Sequence, residues 1–259
     1  MKMFYETTSL SSQRILPLGL IVVSFTFGCT SVKKENVAEP IVVPQVDNVA
    51  SIPEKPFSIF SSPPEFEVEP LPAGFRPEEA LVRKAEGTVL FLQDKTWQPV
   101  KLNQRIHFGT VVASDSRSVM DLFLPKSSVL RLEPESNMAI ESMCWRLLPG
   151  AQLKNEIRTK LLLKHGRLLG NVKKLVPNSS YEIIAAAGTL QIKTGGVDFD
   201  IRADGSCAIL SGNGTFKDAS GKEHIINALQ QFDPKTGNVS PVPPLPATTI
   251  RLQLAPSIK

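Results

Sequence analysis

An all-β domain behind an export signal and a proline-rich spacer is the architecture this sequence predicts, and three observations predict it. An uncharged run ends directly at Gly28-Cys29, the prolines gather before residue 80 and after residue 233, and the stretch between them consists of short apolar runs broken by turn residues. The chain has 259 residues, 42% hydrophobic and 21% charged, enough for one or two domains with an ordinary core. Its 21 prolines exceed the usual background of about 5%, so part of the length belongs to extended segments flanking that core.

Residues 1–28 read as a signal peptide. Lys2 and Arg14 precede the run Ile15 to Phe27, and this order of positive charge before apolar sequence is the one that engages an export machinery. The run is shorter than the roughly 20 apolar residues that span a bilayer, and Pro17 and Gly19 interrupt it, which favours cleavage over a permanent anchor. Gly28-Cys29 then follows at once. This arrangement resembles a bacterial lipoprotein signal, and the resemblance implies that the Cys29 thiol carries a lipid and that the mature chain sits on a membrane, facing the periplasm or the cell surface. Thr26 and Phe27 depart from the usual pattern, which has Leu and a small residue in these places.

Residues 29–79 form the spacer. Pro40, Pro44, Pro53, Pro56, Pro63, Pro64, Pro70, Pro72 and Pro77 recur without helical or strand period, and each removes an amide donor and biases the chain toward extended geometry. A disordered, semi-rigid tether is expected, reaching about 3.1 Å per residue where it is extended. A second proline-rich segment, 236–259, forms a tail.

Residues 80–235 carry the β pattern. Thr88 to Leu92, Ile106 to Phe108, Val119 to Leu124, Val129 to Leu132 and Tyr181 to Ile184 are short apolar runs of strand length. In Val197 to Arg202 the alternation is strict, with Val197, Phe199 and Ile201 on one face and Asp198, Asp200 and Arg202 on the other. Asp204-Gly205, Gly212-Asn213-Gly214 and Ser220-Gly221 supply turn residues that tolerate positive φ. The spacing suits a sandwich, a barrel or a short β-solenoid. One helix is expected, over Gly150 to Leu163, because Leu153, Ile157 and Leu161 recur four apart; Leu161 to Leu163 fits the start of a strand equally well.

The order of these runs resembles the FecR-type domain, a β-rich extracytoplasmic module. The resemblance covers roughly 81–232. It lies in Ala85-Glu86-Gly87-Thr88-Val89, Val100-Lys101-Leu102, Ser114-Asp115-Ser116-Arg117-Ser118, Ser127 to Leu132, Leu161 to Leu168 and the late motif Gly196-Val197-Asp198-Phe199. In the family that late motif usually reads Arg-Gly-Thr-x-Phe, whereas Gly195 and Val197 stand here for the arginine and the threonine. The resemblance implies a FecR-like β-sandwich or short β-solenoid. Sigma-regulating members have a cytoplasmic helical arm and a spanning helix ahead of this domain; only about 14 residues precede the apolar run here, so a stand-alone surface module is expected.

No recognised catalytic motif or cofactor is expected from the residues. There is no Gly-x-Ser-x-Gly turn, no His-Glu-x-x-His, no Cys-x-x-Cys and no phosphate-loop spacing, and His107, His165 and His224 are scattered beside apolar runs or polar turns. The acid pairs Glu78-Glu79 and Glu133/Glu135 leave an envelope enzyme acting on glycans as the alternative, with solvated surface the expectation for Glu78-Glu79. Cys144 and Cys207 are a candidate disulfide or two buried thiols. The net charge of +4 falls by one when residues 1–28 are removed, too little to demand nucleic acid. One local asymmetry stands out. Between Arg146 and Lys174 eight lysines and arginines face Glu156 alone, so Lys160, Lys164 and Arg167 mark a candidate surface for an envelope protein or anionic polymer, or else guard an exposed strand edge. The function expected is therefore a non-catalytic, lipid-anchored binding or scaffolding module.

Overall fold

The structure, a computed structural model, describes residues 68, 70–148, 150 and 154–243. The signal peptide, Cys29 and most of the spacer and tail lie outside the described residues. In chain order the strands are β1 (Arg76–Pro77), β2 (Glu79–Glu86), β3 (Val89–Gln93), β4 (Thr96–Pro99), β5 (Arg105–His107), β6 (Val111–Ser114) and β7 (Val119–Leu124). There follow β8 (Ser128–Leu132), β9 (Ser136–Leu147), β10 (Asn155–His165), β11 (Arg167–Val172), β12 (Ser180–Ala185) and β13 (Gly188–Ile192). The last are β14 (Val197–Arg202), β15 (Cys207–Ser211), β16 (Asn213–Asp218), β17 (Glu223–Asn227), β18 (Gln230–Asp233) and β19 (Asn238–Pro241). No helix occurs among the described residues, and the first and last strands lie on either side of the 80–235 span expected for the domain.

Two sheets form a sandwich. Sheet A runs β17-β16-β13-β12-β10-β9-β6-β3-β4, with β1 paired to β9, and sheet B runs β19-β18-β15-β14-β11-β8-β7-β2-β5. From β7 onward the chain mostly lays down one hairpin in sheet B and the next in sheet A, so both sheets grow in the same direction along the sequence. The alternation in β14 produces the sides of this sandwich directly. Val197, Phe199 and Ile201 enter the core, while Asp198 and Asp200 turn outward to accept hydrogen bonds from Asn171 (2.6 Å) and from the Arg167 guanidinium (2.8 and 2.5 Å) on the neighbouring β11. Gly170 stands opposite Phe199 across this pair, and a Cβ there would lie 2.5 Å from the Phe199 ring, so the ring occupies the space a side chain would need. Sheet A contributes Met138, Ile140, Leu161, Leu163, Ile183 and Phe216 to the same core.

The expected helix over Gly150 to Leu163 is a strand instead. Asn155–His165 pairs antiparallel with β9 along its length and parallel with β12, with Ile157, Thr159, Leu161 and Leu163 buried. A spacing of four is a multiple of two, so Ile157 and Leu161 satisfy a strand face as readily as a helix face, and β9 offered them a ladder.

The spacer's end is also tied down. Phe75 donates its amide to the Pro72 carbonyl (3.0 Å) through a turn in which Gly74 takes a φ of 79°, and β1 then pairs with Cys144 and Trp145.

Candidate functional site

The sequence-derived site residues part company in the fold. Cys144 lies in β9 of sheet A and Cys207 in β15 of sheet B, and the structure holds both as free, buried thiols and not as a disulfide. Different strands flank each: Cys144 stands opposite Pro77 and Arg158, Cys207 opposite Ile201 and Phe232. Burial pushes the Cys207 thiol up to about 12 and raises that of Cys144 as well, which keeps both in the protonated, unreactive form.

Lys160, Lys164 and Arg167 do not form one face. Lys160 and Lys164 lie on the outer side of β10 in sheet A, whereas Arg167 opens β11 in sheet B and is held bidentately by Asp200. Those hydrogen bonds raise the affinity of the guanidinium for its proton. Arg167 is therefore a cross-strand clamp. Lys160 is 3.3 Å from Glu141, and Lys164 is exposed.

What the fold gathers is a different basic cluster. Arg146 and Arg158, on β9 and β10, place their guanidiniums 4.9 and 4.7 Å from the centre of the Phe75 ring, and both ion-pair with Glu156 at 2.6 and 3.7 Å. Glu156 is 1% exposed on the same strand face as Arg158, shielded by these neighbours. The spacer end thus caps a charged triad. Beside it lies a groove of about 300 Å³ lined by Pro72, Ser142, Arg158, Lys160, Ser180 and Glu182, with Thr159 and Asn178 completing the wall. Thr159 is buried there and its Oγ1 has no partner.

A second cleft, about 270 Å³, opens on the other side of β1 and is lined in part by Glu78, Glu79, Arg105, His107, Lys126 and Trp145. The solvated surface expected for Glu78-Glu79 holds for Glu79 only. Glu79 is held by Arg105, which lowers the proton affinity of its carboxyl. Glu78 is 4% exposed, accepts the Lys126 amide at 2.6 Å, and leaves Oε2 buried without a partner. Burial pushes its carboxyl above the ordinary range, against the pull of Lys126. No group of three or more metal-ligating side chains occurs among the described residues.

Arg146, Glu156 and Arg158 belong to the basic segment marked out in the sequence, but their contact was not legible there because Arg146 and Glu156 are ten positions apart. Only the β9/β10 register, which sets them opposite one another, makes them neighbours.

No family model matches this chain, and no curated protein does. Among solved structures, two of candidate anti-sigma factors from Parabacteroides distasonis align with it, at 11% and 12% identity and TM-scores of 0.37 and 0.36. Each alignment covers 50% of this chain and 57% of the other, so the chain spans little more than half the length of the proteins it matches. At these values the likeness assigns neither a family nor an activity.

Proposed function

We propose that this chain is a non-catalytic binding module of the bacterial envelope, anchored by a lipid on Cys29, that meets an anionic protein or polymer at the groove beside Arg158 and Lys160. The observation that carries the reading is the groove itself. Two cations stand on adjacent outward positions of one strand, and the hydroxyls of Ser142 and Ser180 beside them can donate to the same anionic group. Lys164 stands two outward positions farther along β10, past Leu162.

The enzyme alternative rests on the acid pairs Glu78-Glu79 and Glu133/Glu135, and of these four carboxyls only that of Glu78, in the second cleft, is buried. Its unpartnered oxygen has no contact with solvent, so it has no path by which to protonate a bound glycan. That favours the binding module.

Retention of the protein on immobilised dextran sulfate tests the proposal. Reversal of Arg158, Lys160 and Lys164 to Glu should cut retention, and added salt should erase it, since screening shortens the reach of surface charge to about 8 Å at physiological ionic strength. Arg167→Glu is the control: it breaks the Asp200 clamp and should lower stability while leaving retention intact. Retention equal in the triple variant and the parent would remove the groove from the proposal.

A further inference from the structure

Among the described residues four strands end the two sheets, β4 and β17 in sheet A and β5 and β19 in sheet B, and the two-residue branch β1, with Arg76 and Pro77, has an unpaired side as well. An open edge exposes unpaired amides and carbonyls, and proteins blunt it with charged side chains, above all lysine, with proline, with bulges or with brevity. Here β4 carries Pro99, β19 carries Pro241, and β5 is three residues long with Arg105. By contrast, β17 (Glu-His-Ile-Ile-Asn) has no proline or lysine along its five residues, and its one carboxylate, Glu223, stands at its first position and leaves the centre of the edge uncharged.

Its backbone polarity follows from the hydrogen bonds of β16. Asp218 donates to the Lys222 carbonyl and Ala219 to the Ala187 carbonyl, each at 3.0 Å, which fixes the alternation along the strand. His224 and Ile226 therefore bond to β16, while Glu223 and Ile225 direct N–H and C=O to the open edge. Asn227 points the same way, but its N–H is taken by Gln230 Oε1 at 2.9 Å. Side chains follow the same alternation. His224 and Ile226 are buried, His224 beside the Phe232 ring, whereas Ile225 is 68% exposed and Leu229, just past the strand, 65%.

We propose that β17 pairs antiparallel with β17 of a second copy of this chain, continuing sheet A across a two-fold axis at Ile225. The strand is complementary to itself in that register. Ile225 meets the partner's Ile225 as an apolar cross-strand pair, and the two exchange both backbone hydrogen bonds. Glu223 stands opposite the partner's Asn227, so no like charges are opposed, and its amide meets the carbonyl of the partner's Asn227 on each side. The Asn227 N–H, already committed, ends the ladder there. Pairing of five residues lies at the small end of specific interfaces, so the dimer forms with a dissociation constant of about 1 µM or weaker.

The test uses the full chain with Cys29→Ser in mild detergent. Sedimentation should show the protein mass doubling across the micromolar range. Ile225→Pro and Ile225→Lys should keep the parent circular dichroism and remain monomeric, because the Ile225 amide donates to nothing among the described residues. Under oxidation Ile225→Cys should link to itself, since opposed Cα atoms in a hydrogen-bonded pair lie about 5.5 Å apart. Glu223→Cys should not, its two-fold mate being about 13 Å along the strand, yet it should link to Asn227→Cys when the two variants are mixed. A monomer at every concentration with no Ile225→Cys link would overturn the proposal. So would equal self-linking of the Ile225→Cys and Glu223→Cys chains, or a dimer that survives Ile225→Pro.

Discussion

Single residues in this protein act chiefly through what buries them. Glu78 and Glu79 are adjacent in sequence and opposite in fate: Arg105 holds one in solvent as a carboxylate, and the turn into β2 carries the other under Lys126. Since Glu78 keeps its proton to a higher pH when folded, the native state binds more protons than the unfolded chain above the ordinary value of 4.5. Stability should therefore fall as pH rises from about 4.5 through the raised value. Glu78→Gln, uncharged throughout, should flatten that fall in urea titrations at a series of pH values, and an unchanged slope would show that the carboxyl is not desolvated. A contrary trend operates in the turn before β17. The hydroxyl of Ser220 and the ring of His224 donate to Asp218 and hold its carboxyl well below the usual range, so this contribution is lost only as pH falls through that low value.

At the scale of elements, β10 shows how one pattern serves two structures. Alanine substitutions along Ile157 to Leu163 should cost stability with a period of two, about 2 to 5 kcal/mol at Ile157, Leu161 and Leu163 and much less at Lys160 and Leu162. Denaturant unfolding of the series checks this, and a helical repeat with Leu161 and Leu162 both costly would contradict the strand. The alternation of β14 was legible beforehand because each of its apolar residues is separated by a charged one that needs the outer face. In β10 it was not, since Leu161, Leu162 and Leu163 are consecutive and only pairing to β9 and β12 decides which of them turns inward. The same register explains the candidate site. Arg146, Glu156 and Arg158 read as scattered charges until β9 and β10 are laid side by side.

For the whole molecule, the end of the spacer packs on the sandwich at Phe75, whose ring meets Arg146 and Arg158, and again at Pro72 and Val68, the latter against Gly109. The parent protein should partition into the detergent phase, and Cys29→Ser should yield an unprocessed or soluble form; normal mass with unchanged partition in that variant would exclude the lipid. By itself the sequence determined the class of this protein. Two-residue alternation and turn glycines make an all-β body whatever the order of its strands, because each face must find either core or water. Tertiary structure alone decided which charges meet. Cross-strand neighbours are set by register between segments ten or more residues apart, and no local spacing encodes that register. This is why Arg167 left the predicted basic face for Asp200, and why Cys144 and Cys207 were carried into separate sheets.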